Sequence, residues 1–119
     1  MNASAEAGCV FCRIVRGEVP AKVVFENDRL LAFDDIRPRA PVHVLVIPKR
    51  HVASLNEVPD DAAALLGEIL VRARDIARAK GVGASGYRVV LNTARDSGQE
   101  VFHIHFHILG GRRLAWPPG

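Results

Sequence analysis

Near the C-terminus the run His103-Ile104-His105-Phe106-His107-Ile108-Leu109 alternates imidazoles with apolar side chains. A period of two marks a strand with one face in a core. It predicts that Ile104, Phe106 and Ile108 are buried and that the three imidazoles face the other way. Gly110 and Gly111 then end the strand. The chain has five histidines and this run holds three of them. Its outward face therefore carries groups that attack, move protons or bind metal near neutral pH.

The remaining elements fit around that strand. Phe11 to Arg16 predicts a short helix, stopped by Gly17. Lys22 to Glu26 and Arg29 to Asp34, joined at Asn27-Asp28, predict a hairpin. His43 to Ile47 is almost wholly apolar, as in a central strand covered on both faces. Pro59-Asp60-Asp61 reads as a helix start. Leu65, Leu66, Ile69, Leu70, Ala73, Ile76 and Ala77 then recur at three and four, giving one long amphipathic helix to about Lys80, capped by Gly81. Tyr87 to Asn92 predicts a strand, joined through the loop 93–99 to the histidine strand. The expected class is α+β: a mostly antiparallel five-stranded sheet, one long helix and a short N-terminal helix.

At 119 residues, 49% hydrophobic and 24% charged, the chain makes one ordinary globular domain. Residues 1–8 predict a disordered tail and residues 9–119 a single domain. The net charge of +3 is mild and spread along the chain, which points away from a nucleic-acid groove. The basic residues toward the end of the long helix suit its dipole without any such partner. No basic start precedes an apolar run, and no segment has the length of a membrane span. With only Cys9 and Cys12, too close to staple a fold, the cytoplasm is the expected compartment.

Three roles compete for the histidine face. Filling a half-buried surface is one, but each of three imidazoles would then lose solvation and need a partner. Binding zinc with a further ligand is the second. The third is nucleophilic attack on phosphorus, splitting one displacement into two, with a neighbouring histidine and backbone donors at the phosphate oxygens. The loop Asp96-Ser97-Gly98-Gln99 leads into the strand and supplies a source of such donors. Cys9-Val10-Phe11-Cys12 has metal-ligand spacing, but alone it is half a tetrahedral site, or simply two thiols.

The run His103 to Leu109 resembles the signature of the histidine-triad (HIT) family. The resemblance extends over nearly the whole chain, through Phe11, Ala32 to Ile36, Pro41-Val42-His43, Val46 to Lys49, Tyr87 to Val90, Asn92 and Gly98-Gln99. The terminal Trp116-Pro117-Pro118-Gly119 is similar to the Hint branch. That resemblance implies a homodimer with one continuous sheet, and hydrolysis of purine nucleoside phosphoramidates. It makes His105 the nucleophile of a nucleotidyl-histidine intermediate, His107 the contact to the α-phosphate and His43 the neighbour that holds orientation and proton state.

By the same resemblance, Asn92 and the backbone of Gly98, Gln99, Glu100 and Val101 bind phosphate and ribose oxygens, and Asp35 binds the ribose hydroxyls. Phe11, Ile14, Phe33, Ile36 and Leu45 wall the purine. Trp116 reaches the active site of the partner. Glu100 departs from the serine of many Hint proteins, and the expectation is that it offers its amide and turns its carboxylate to solvent. Some HIT proteins hold a structural zinc at positions matching Cys9, Cys12, His51 and His103, while the chemistry itself needs no cofactor. A nucleophile with an ordinary histidine pKa near 6.5 predicts a rate that falls below about pH 6. The rival readings are a non-catalytic nucleotide- or metal-binding module, and another HIT activity such as dinucleoside polyphosphate hydrolysis or nucleotidyl transfer.

Overall fold

Strand β1, Val23–Glu26, turns back on β2, Leu30–Asp34, because Asn27 Oδ1 accepts the N–H groups of Arg29 and Leu30, both at 2.8 Å. These elements come from a computed structural model that describes residues 8–119. The expected disordered tail, residues 1–8, lies outside the described residues except for Gly8. A short helix α1, Val10–Val15, precedes the hairpin. After it come β3, Val42–Pro48, the long helix α2, Ala63–Ala79, then β4, Tyr87–Leu91, and β5, Phe106–Gly110.

The five strands form one antiparallel sheet in the order β1-β2-β3-β5-β4, with the apolar β3 at its centre as its composition predicts. Residues paired across strands share a face. Val46 pairs with Ala32 and Phe106, and with Ile104, Ile108 and the α2 side chains Ile69, Ala73, Ile76 and Ala77 they form the larger core. Leu45 pairs with Phe33 and His107 on the opposite face, where Phe11, Leu31, Phe33, Leu45 and Ile47 form a second cluster. The histidine face is thus roofed by α1.

Three expectations need correction. Leu70 is 50% exposed and does not belong to the buried stripe of α2, because it sits about 100° around the helix from the fully buried Ile69. The acidic start at Asp60 makes a 3-10 turn, Asp60–Ala62, before α2 begins, a common way for a helix to open without a side-chain cap. The histidine run joins the sheet only at Phe106. The Ile104 N–H goes to the Val52 carbonyl at 2.7 Å, so residues 103–105 leave the ladder. Alternation persists nonetheless: Ile104, Phe106 and Ile108 all enter the α2 side of the core.

The far end of α2 closes as its glycine predicts. Gly81, at φ +82°, donates to Arg78 O and Val82 donates to Ala77 O, both at 3.0 Å, which is a Schellman closure. It sets the buried Val82 against Gly110 at the end of β5, where an added Cβ would meet Val82 side-chain carbons at 3.1 Å.

Candidate active site and metal centre

His43 enters the histidine face from β3 and His107 from β5, two residues out of register, and the two rings meet. His43 Nε2 lies 2.9 Å from His107 Nδ1 and 3.4 Å from Asp35 Oδ2. The Arg39 backbone N–H lies 3.0 Å from His43 Nδ1 and can only donate. In the neutral ring the proton of His43 is therefore on Nε2, which donates to His107 Nδ1. His107 in turn must carry its proton on Nε2. A relay of fixed polarity runs from the Arg39 amide through His43 to His107 and ends in a donor.

His105 has the opposite polarity. Its Nδ1 lies 2.8 Å from the His103 carbonyl, which can only accept. The proton is on Nδ1, and Nε2 carries the lone pair. The ring is 7% exposed, edge-on to Phe11 at 5.1 Å and tilted against His107 at 5.0 Å. Phe11 also meets Phe33 edge-on at 5.5 Å. The arrangement offers one bare nitrogen beside one N–H donor, which is what attack on a phosphorus with concurrent stabilisation of its oxygens requires.

Burial keeps these rings neutral. It lowers the pKa of His43, against Asp35 and with Arg39, and lowers that of His105 against its bond to His103. For His107, burial and the two neighbouring imidazoles bring the value to about 4. The expected loss of rate below pH 6 rested on an ordinary imidazole and is corrected downward, because desolvation disfavours the cation here.

Among the described residues a second group of donors gathers Cys9, Cys12, His51 and His103. His103 Nδ1 is 3.4 Å from Cys9 Sγ, 3.5 Å from Cys12 Sγ and 3.2 Å from His51 Nδ1, and Cys12 Sγ is 3.3 Å from His51 Nδ1. A tetrahedral zinc with ordinary bond lengths needs edges of roughly 3.3 Å between nitrogens and about 3.6 Å between nitrogen and sulfur. The donor set fits. His103 Nε2 donates to the Pro48 carbonyl at 2.8 Å, which leaves Nδ1 as the lone pair aimed at the centre.

Asp35, His43 and His107 also cluster closely enough for an ion. There the polarity is wrong. With the Arg39 N–H on Nδ1, His43 keeps its proton on the very nitrogen that would ligate. The donor spacing and polarity of the first cluster suit a metal ion, and those of the second do not. A cleft of about 510 Å³ borders the first, lined in part by Cys9, His51, Glu100 and Phe102.

Other expected site residues divide. Ile14 and Val101 pack beside the Phe11 cluster, which includes Phe33 and Leu45. Asn92 is half-buried one step past β4, where it continues the face that Val90 shares with His107. The Gly98 and Gln99 amides bond to Arg95 O and Ala94 O inside the loop. The Gln99 side chain is buried and braces the loop through Ala94 N and the carbonyls of Ala53 and Val101. The Glu100 and Val101 amides have no partner among the described residues, and the Glu100 side chain is exposed.

Ile36 is 90% exposed on the loop after β2. Trp116 is 80% exposed, with the Arg88 guanidinium 6.0 Å over its ring and Arg88 bonded to the Ala115 carbonyl at 3.0 Å. Sequence reading missed Arg39 and Pro48, which act through backbone groups and so leave no side-chain signal. No helix among the described residues is long and apolar enough to cross a membrane.

The family model of the HIT domain matches residues 16–114. An uncharacterized HIT-like protein of Synechococcus elongatus is 51% identical over 110 residues, 92% of this chain and 96% of that protein. The crystal structure of a HIT family hydrolase from Legionella pneumophila is 55% identical and superposes with a TM-score of 0.92, covering 94% of this chain and 100% of that one. A zinc-bound histidine triad family protein from Mycobacterium smegmatis is 36% identical with a TM-score of 0.77, over 88% of this chain and 76% of that one.

Proposed function

Because the chain belongs to the histidine-triad family, we propose that it is a nucleotide hydrolase of the Hint branch, cleaving the P–N bond of purine nucleoside phosphoramidates. The observation that carries this reading is the 2.8 Å bond from His105 Nδ1 to the His103 carbonyl, which leaves Nε2 as a bare, buried nucleophile beside a donor. The relative from Legionella pneumophila, described as a hydrolase, supports the reaction class. The Trp116-Pro117-Pro118-Gly119 tail supports the branch.

In the proposed reaction His105 Nε2 attacks the α-phosphorus, the P–N bond breaks, and the amine departs with a proton. Water then adds hydroxide to phosphorus, releases the nucleoside monophosphate from His105, and restores the proton that the amine removed. His107 Nε2–H holds an α-phosphoryl oxygen, with its direction set by His43. The Glu100 and Val101 amides and Asn92 hold the other oxygens. Phe11, Ile14, Phe33 and Leu45 receive the purine, and Asp35 the ribose.

Cys9, Cys12, His51 and His103 hold a structural zinc, supported by the tetrahedral spacing of their donors and by the zinc-bound relative. Zinc there supplies no chemistry to the reaction and ties α1 to the end of β3. Two copies pair through a free sheet edge, β1 or β4, and Trp116 and Ile36 meet the partner. Cys9 and Cys12 form no disulfide, which suits a reducing cytoplasm.

Turnover of an adenosine 5′-phosphoramidate bearing a fluorescent amine, by the parent and by His105→Ala, tests the reaction. The expectation is turnover by the parent and none by the variant. A folded parent that binds AMP and turns nothing over would instead be a binding module.

A further inference from the structure

Helix α1 is six residues long, too short to hold itself together in water. Its place depends on what its side chains meet. Cys9 and Cys12 enter the Cys/His cluster, and Phe11, between them in sequence, leaves toward the nucleophile. The Phe11 ring sits edge-on to His105 at 89° and to His103 at 71°, with centroids 5.1 and 5.9 Å away. Whatever fixes the two cysteines fixes the wall against which His105 stands.

A second route runs through His103. Its Nδ1 faces the cluster while its backbone carbonyl receives the Nδ1–H of His105. One residue therefore joins the four-donor group to the bond that sets the polarity of the nucleophile. Both routes are direct contacts, and neither passes through solvent. In the cluster itself, the bare Nδ1 of His103 meets two sulfurs and another ring nitrogen within 3.5 Å.

We infer that metal in the Cys/His cluster and nucleotide at His105 bind with positive coupling, with Phe11 and His103 as the positioning residues that transmit it. The inference rests on the zinc and nucleotide readings given above. It adds that the two sites are one thermodynamic unit. Coupling of this kind is reciprocal: the factor by which zinc tightens the nucleotide equals the factor by which the nucleotide tightens zinc.

The test is calorimetric titration of the full chain with AMP, in the zinc-loaded and the chelator-stripped state, and of the stripped chain with Zn²⁺ alone, with and without saturating AMP. AMP affinity should rise at least about fivefold on loading, the lower end of ordinary couplings, with an equal factor for zinc. Phe11→Leu should keep one zinc per chain and show a smaller factor in both directions. Cys9→Ser should bind AMP like the stripped parent and be indifferent to added zinc. In the loaded parent the His105 Nδ1–H should also exchange more slowly with solvent.

Equal AMP affinities in both states, with both ligands bound, would overturn the coupling and leave the proposed hydrolysis standing. A parent that binds no zinc, or no AMP, would overturn the inference together with the reading beneath it. Should Phe11→Leu fail to fold, the parent titrations and Cys9→Ser still decide.

Discussion

His43 Nε2 and His107 Nδ1 stand 2.9 Å apart, and the Arg39 amide on the far side of His43 dictates which of them holds the proton. Removing His43 leaves His107 without the donor that fixes its tautomer. One neutral hydrogen bond is worth about 1 kcal/mol, so His43→Ala should lower kcat by roughly tenfold or somewhat less. KM should move little, since His43 is not placed on substrate. Steady-state kinetics decide the matter. A variant with raised KM and unchanged kcat would put His43 in substrate binding.

His107 has a pKa of about 4 because burial, and then the neighbouring imidazoles of His105 and His43, disfavour its cation. Between the ordinary value near 6.5 and that lowered one, the unfolded chain binds a proton that the folded chain refuses. Above pH 6.5 this group leaves stability unchanged. As the pH falls from 6.5 toward 4 it destabilises the fold. Burial lowers His43 and His105 as well, so kcat should begin to fall only at a pH below the ordinary imidazole value. A pH–rate profile that halves near pH 6.5 would contradict this.

Gln99 makes three hydrogen bonds from a buried amide, to Ala94 N, Ala53 O and Val101 O. It ties the loop ahead of the histidine run to the segment after β3. Gln99→Leu keeps the approximate volume and leaves three part-buried backbone groups without this partner. The expected loss is about 2–3 kcal/mol of stability, from the desolvation of unpaired groups. Because the Glu100 and Val101 amides ride on the same loop, KM for the nucleotide should rise as well. Urea unfolding and steady-state kinetics on one preparation would show both effects. A stable variant with unchanged KM would mean that the loop holds its shape without Gln99.

The sheet was legible because period-two alternation and a β3 apolar but for His43 leave few alternatives. The buried side of α2 was legible through Ile69, Ala73, Ile76 and Ala77. Residues 103–105 were misread as ladder because alternation reports which way side chains face, whereas ladder membership depends on where the amides go. Here the Ile104 amide goes to Val52. The histidines themselves were visible from residue type and spacing. Their polarities were not, since these come from an amide of Arg39 and carbonyls of His103 and Pro48, which any side chain could have supplied. Gln99 was singled out for its neighbourhood, and its use as a brace needed the coordinates. Ile36 and Trp116 lie exposed on one chain, and nothing in the linear order shows that.

Gly110 ends the strand that carries His107, and the space above it belongs to Val82. An added Cβ would come within 3.1 Å of both Val82 Cβ and Cγ2, and within 3.2 Å of Cγ1. Val82 is 4% exposed, held by the closure of α2, and its branched side chain has little freedom to turn aside. Gly110→Ala should therefore destabilise the fold by about 1–3 kcal/mol through overpacking. Val82→Ala alone should also destabilise, by leaving a small cavity. In the double variant the new methyl occupies the space that the valine gave up, so the loss should fall well short of the sum of the two. Thermal or urea unfolding of the four proteins closes this cycle, and a strictly additive result would show that the contact between Val82 and position 110 is not what excludes the side chain.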